Sequence, residues 1–178
     1  YLELESRLNS AEAVGYPDIV LPDVNAQKIR LSEVDSKVIM VFFWSAANAD
    51  QKMFNLDFLK GIYDDYHRKG LDFTTYAHES SAARVIVQRE LYDKYAAQGF
   101  EIYQVSLDVD KALWAKVVKQ QNLPWINVCD SRGAASPYTA LYNISSVPAV
   151  YVICNGDLVD GSMADEKSFR KTLDNLLK

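Results

Sequence analysis

The chain has 178 residues, 49% of them apolar and 24% charged, which is the size and composition of one ordinary globular domain. Nineteen basic residues against 24 acidic ones leave a net charge of −5, with no Lys/Arg cluster, which excludes nucleic acid and anionic membrane surfaces as natural partners. Two cysteines, Cys129 and Cys154, are too few for a disulfide scaffold or a four-cysteine zinc site, and their separation excludes a C-x-x-C redox pair.

Residues 1–14 read as a lead-in segment, and the main domain, 15–178, begins near Gly15. A chain that starts at Tyr1 and not at Met is expected to be a processed or trimmed form. Short apolar-bearing stretches at 19–21 and 28–31 predict an N-terminal β-hairpin. Val38–Trp44 (VIMVFFW) is an unbroken apolar run rich in β-branched and aromatic residues. It suits a central strand covered on both faces and is too short to cross a bilayer. Met53, Leu56, Leu59, Tyr63 and Tyr66 recur at three- and four-residue steps and predict a helix over 49–66, ended by Gly70.

Residues 71–77 read as a strand, and Ser80 or Ser81 as the cap of a helix carrying Val87, Leu91 and Tyr95 on one face up to Gly99. Residues 100–107 predict the next strand, and Leu113, Trp114, Val117 and Val118 a third helix. A short strand at 125–128 precedes a helix over 136–142, with Pro137 in its first turn. The strand Ala149–Cys154 runs into Asn155-Gly156, a strong hairpin signal because both turn residues tolerate positive φ. Residues 157–159 return antiparallel. Asp165 then caps a closing helix that turns Phe169, Leu173, Leu176 and Leu177 inward.

Residues 62–73 (IYDDYHRKGLDF) match 91–102 (LYDKYAAQGFEI). Either these are two similar helix–Gly–strand junctions, or one βα unit has been duplicated in tandem, making 70–98 the added unit. The element order gives an α/β domain with a mixed sheet. A flavodoxin-like doubly wound sheet fits the first 128 residues and fits the terminal Pro–strand–turn–strand–helix poorly.

That terminal unit, together with an early strand ending in Phe43-Trp44, resembles the thioredoxin fold. More narrowly, the chain resembles the TlpA-like, AhpC/TSA-related branch of the thiol–disulfide oxidoreductases. The resemblance runs through residues 17–41, the FEIYQVSLD segment followed by Trp114, the WINVCD segment, Leu141-Tyr142-Asn143 and Val147-Pro148. It implies a thioredoxin-like fold: a mixed central sheet flanked by helices, an N-terminal hairpin and an extra βα unit. It also implies an exported, periplasmic or envelope-anchored protein. Pro148 falls where the family has a cis-proline lining its substrate groove, and Trp44, Val147 and Tyr76 are expected to edge that groove.

The family places W-C-x-x-C just beyond the Phe-Trp strand. Here Asn48 and Gln51 hold the two cysteine positions. The repeat offers a second alignment in which residues 77–81, including His78, Glu79, Ser80 and Ser81, take that place, again without a cysteine. The attacking thiolate is stabilised at a helix N-terminus, and exchange passes through a mixed disulfide resolved by the second cysteine. Asn cannot ionise but is a good N-cap, so Asn48 keeps the helix start and discards the reaction.

Cys129 and Cys154 each end a predicted strand and read as small buried hydrophobes, with a mutual disulfide or a redox role as alternatives. His67 and His78 with these cysteines fit no zinc spacing, the Ser/His/Glu cluster at 78–81 lacks a nucleophile elbow, and no Gly-rich phosphate loop exists, so neither metal nor cofactor is expected. The reading is of a redox-inactive protein- or peptide-binding or assembly module. The alternatives are an atypical thiol–disulfide oxidoreductase using Cys129 or Cys154, and a purely structural domain of a larger envelope protein.

Overall fold

The computed structural model describes residues 15–67, 99–159 and 166–177. The lead-in at 1–14, the Gly70 stop, the strand at 71–77 with Tyr76, the cluster at 78–81, the helix that follows it, the whole 70–98 unit and the Asp165 cap lie outside the described residues.

Strands β1 (Val20–Pro22) and β2 (Lys28–Arg30) pair antiparallel as a separate two-stranded sheet. The main sheet holds β3 (Val38–Trp44), β4 (Phe100–Ser106), β5 (Ile126–Cys129), β6 (Ala149–Cys154) and β7 (Asp157–Val159) in the order β5-β4-β3-β6-β7. β3 lies between a parallel neighbour, β4, and an antiparallel one, β6, and every one of its residues is buried. That position accounts for the unbroken apolar run, since neither face of the strand meets water. β6 runs antiparallel to both of its neighbours, β3 and β7, so the sheet is mixed and a doubly wound parallel arrangement is excluded.

The alternation along β3 divides the core in two. Val38, Met40, Phe42 and Trp44 face one layer, and Ile39, Val41 and Phe43 face the other. The first layer is closed by a helical rod made of α1 (Ala49–Phe54), a wide turn (Asn55–Leu59) and α2 (Lys60–Tyr66), together with α3 (Lys111–Gln121) and α5 (Glu166–Leu176). The hairpin and the region of α4 (Pro137–Leu141) close the second. The caps follow the local chemistry: Asp110 accepts from Leu113 N–H at the start of α3, and Ser136 caps α4 with Pro137 just inside. Asn155 and Gly156 both have positive φ, 51° and 84°, as the β6–β7 turn requires.

The expected apolar face of the first helix needs correction. Met53 and Leu56 are 51% and 41% exposed, while Asn55, Leu59, Ile62, Tyr63 and Tyr66 are buried. The turn over Asn55–Leu59 is a π-type turn with more residues than an α turn, so it rotates the buried face away from the 3.6-residue pattern. Phe54 stacks between Phe42 and Phe58 in place of the displaced residues.

The hairpin is held by tyrosines. Tyr103 donates to the Ile29 carbonyl at 2.7 Å, Tyr142 to the Pro17 carbonyl, and Tyr138 bonds both the N–H and the carbonyl of Val20. Backbone groups on the outer side of a two-stranded sheet lack further ladder partners, and Tyr103 and Tyr138 supply them, Tyr138 accepting from the Val20 N–H as well as donating.

Candidate functional site

The site lies at the C-terminal ends of β3 and β4, where the chain leaves β3 through Ser45, Ala46 and Ala47 into α1. Asn48 is the N-cap of α1, its Oδ1 accepting from Gln51 N–H at 3.1 Å. The side chain of Gln51 is buried and uses both ends of its amide. Oε1 accepts from Ser45 N–H at 2.6 Å, and Nε2 donates to the Val147 carbonyl at 3.3 Å. A carbonyl oxygen needs a donor and an amide N–H needs an acceptor, so these partners also dictate the orientation of the amide.

The structure therefore brings Asn48, Gln51, Val147 and Pro148 together. The Val147–Pro148 peptide bond is cis, Pro148 is exposed and Val147 half-buried. Trp44 does not join them at the surface. Its side chain is fully buried in the core layer, because even-numbered β3 residues point under the helices, so it backs the site from within and edges no groove. Tyr76 lies outside the described residues.

Asp108, just beyond β4, organises the loop. Its carboxylate accepts from Ser45 Oγ at 2.8 Å, Ala46 N–H at 2.7 Å, Ala47 N–H at 3.3 Å and the Ser106 hydroxyl. It is buried, with 6% of its surface exposed. Sequence reasoning passed over this residue. The available signal was an acid placed immediately after a parallel strand, level with the loop that leaves the neighbouring strand.

The two thiols are far from each other. Cys129 is in register with Ser106 and so with Trp44, whereas Cys154 is in register with Val38. The length of β3 separates them, about 20 Å at the usual rise per residue. A disulfide needs Cα atoms within about 7 Å, so the two cannot pair within one chain, and both are free. Cys129 sits beneath the loop, its Sγ 3.5 Å from the Asp108 carbonyl and 3.6 Å from Ser106 Oγ. It is 2% exposed, and burial pushes its thiol pKa up, with the Asp108 and Asp130 charges adding to the rise against a lowering by the Ser106 hydrogen bond. Among the described residues no group of acidic, His and Cys side chains is arranged to hold a metal ion. His67 bonds the Phe100 carbonyl through Nδ1 at 2.8 Å and stacks on Tyr63.

No protein-family model matches the chain, and neither does any curated protein. Solved structures do. A thioredoxin-like protein from Bacteroides vulgatus is 31% identical over 90% of this chain and 87% of its own length, with a TM-score of 0.58. A thiol-disulfide oxidoreductase from Bacteroides fragilis is 21% identical, with a TM-score of 0.63 over 90% of this chain and 98% of its own. A C-terminal domain from Bacteroides thetaiotaomicron, assigned to the same class, is 23% identical, with a TM-score of 0.67 over 91% and 93%.

Proposed function

The chain belongs to the thioredoxin-like family, and from that premise we propose that it is a member without dithiol chemistry, a protein- or peptide-binding or assembly module of the cell envelope. The observation that carries the reading is the occupancy of the helix start. Both motif positions hold amides, Asn48 and Gln51, and both amides are committed to hydrogen bonds within the chain. Neither is a nucleophile at neutral pH.

The same frame keeps an exposed proline beside that helix start, flanked by the exposed residues Ala47, Asn48, Ser145 and Ser146. This is the surface on which an extended peptide would lie. The resemblance to exported relatives favours an envelope location. Among the described residues no helix is long and apolar enough to cross a membrane.

The second reading, an atypical oxidoreductase working through Cys129 or Cys154, has less support. A thiol of raised pKa with 2% exposure is neither ionised nor reachable at neutral pH. Cys154 is more accessible but stands at the opposite end of the sheet from the loop.

Reduction of insulin disulfides separates the two readings. We expect the wild-type protein to add nothing to the dithiothreitol background. Activity that disappears in Cys129→Ala or Cys154→Ala would replace the first reading by the second. Binding is tested with a random-sequence peptide library, the bound peptides being mapped by amide shift changes. Changes centred on residues 45–51 and 145–149 support the groove, and changes confined to another face reject it. Fractionation of cells expressing the native gene tests the envelope placement.

A further inference from the structure

Gln51 is the buried residue of α1, and through it one side chain joins three separate pieces of the chain: the loop leaving β3, the start of the helix and the segment that enters β6. The two ends of its amide are unequal. The bond from Ser45 N–H is short, 2.6 Å, while the bond to the Val147 carbonyl is long, 3.3 Å. Hydrogen bonds weaken as they lengthen beyond the common range near 2.9 Å, so the Val147 end releases first. The residues over this bond, Asn48 and Pro148, are exposed, and Val147 is half-buried. Opening at this point therefore brings water to little apolar surface beyond the side of Val147 that packs on the second core layer.

We propose that Gln51 is a non-covalent latch. Its amide holds the 145–148 segment against the helix start at rest, and loss of the single bond to Val147 frees that segment while the bond to Ser45 keeps the helix in place. The purpose of such a latch, admitting the main chain of an extended peptide to the Val147 carbonyl, rests on the peptide-binding reading; the latch itself does not. A carbonyl only accepts, so what the main chain of a peptide offers in place of the Gln51 amide is a backbone N–H.

Two variants separate the ends of the latch. In Gln51→Glu the side chain still accepts from Ser45 N–H but no longer donates to Val147. In Gln51→Met both bonds are lost at similar size. Amide exchange and backbone relaxation are compared across the three proteins. We expect Ser45 N–H to exchange at the wild-type rate in Gln51→Glu and about two- to tenfold faster in Gln51→Met, as loss of a hydrogen bond of ordinary net strength implies. Backbone motion at Ser146, Val147 and Ala149 should rise in both variants, with the Val41 and Ile153 amides unchanged. Equal order at 145–149 in all three proteins would overturn the latch. So would acceleration at Val41 and Ile153 in step with Ser45, which would make Gln51 an ordinary stability residue. Library peptides that bind the wild type should bind Gln51→Glu more tightly. If the segment loosens as expected and no peptide binds either protein, the latch stands and the peptide-binding reading falls.

Discussion

The hydroxyl of Tyr103, on a central strand, donates to the backbone carbonyl of Ile29 on the N-terminal hairpin at 2.7 Å, across 74 residues of sequence. Tyr138 and Tyr142, in and just after α4, hold the same N-terminal region through Val20 and Pro17. Tyr103→Phe removes the donor and leaves a carbonyl without it, so we expect a loss of about 1–3 kcal/mol. Urea unfolding should show a lower midpoint at an unchanged slope. Burial raises the phenol pKa of Tyr103 and of Tyr142 above the ordinary value, with nearby phenols and Asp18 adding to it. The unfolded chain thus releases these protons first as pH climbs. Their contribution is complete below pH of about 10 and declines above it, a decline that Tyr103→Phe should lessen.

Glu101 gives the opposite end of the pH scale a slope. Burial raises its carboxyl from 4.5 to about 7, against the lowering effect of hydrogen bonds from Ile102 N–H and the Tyr63 hydroxyl. His67 Nδ1 stands 3.9 Å from its Oε2. The folded state holds this proton more tightly than the unfolded chain. The contribution of Glu101 to stability is therefore full below the unfolded pKa and is lost as pH rises through about 7. Glu101→Gln should remove that slope and raise stability at pH of about 8 by up to about 3 kcal/mol. Denaturant titrations of both proteins at several pH values measure it. Parallel curves would mean that the carboxyl is not raised in the folded state.

Asp108→Ala leaves the Ser45 and Ser106 hydroxyls and the N–H groups of Ala46 and Ala47 without their shared acceptor. We expect a loss of about 3 kcal/mol or more, from buried donors left unpaired, and a disordered 45–48 loop. Asp108→Asn, which keeps one acceptor oxygen, should lose roughly half as much. Thermal melts give the totals, and amide exchange at Ala46 and Ala47 shows whether the damage is local.

If the proposed reading holds, the Asn48→Cys/Gln51→Cys double variant tests whether thiols at these two positions are sufficient for disulfide exchange. A thiol at the start of α1 should have its pKa lowered from about 8.5 toward about 7 by the helix N-terminus. Insulin reduction should rise above the wild-type background, and Asn48→Cys alone, with no resolving partner, should fall well short of the double variant. An inactive double variant would mean that the surroundings of the loop do not support the reaction even with both thiols in place. Asn48→Ala should cost about 1 kcal/mol through loss of the cap.

Much of the described fold was legible because its signals are local. The β3 run, the Asn155-Gly156 turn and Pro137 at the start of α4 each carry their information within a few residues. The rest depends on partners distant in sequence. Asp108 reaches Ala46 across 62 residues and Gln51 reaches Val147 across 96, and no periodicity announces either contact. Trp44 looked like a surface aromatic because it adjoins the motif, yet strand alternation turns it inward. The wide turn at Asn55–Leu59 has no sequence mark at all, and it alone moved Met53 and Leu56 off the buried face.

The separation of the two cysteines supplies a built-in gauge of conformational opening. Cys154 is partly exposed and should react with a thiol reagent in the native protein, whereas Cys129 is shielded until the sheet end beneath Asp108 comes apart. Slow labelling of Cys129 therefore counts openings of that end against Cys154 as internal reference. A reagent that modifies Cys129 as fast in the native protein as in urea would show that the loop over it opens without unfolding.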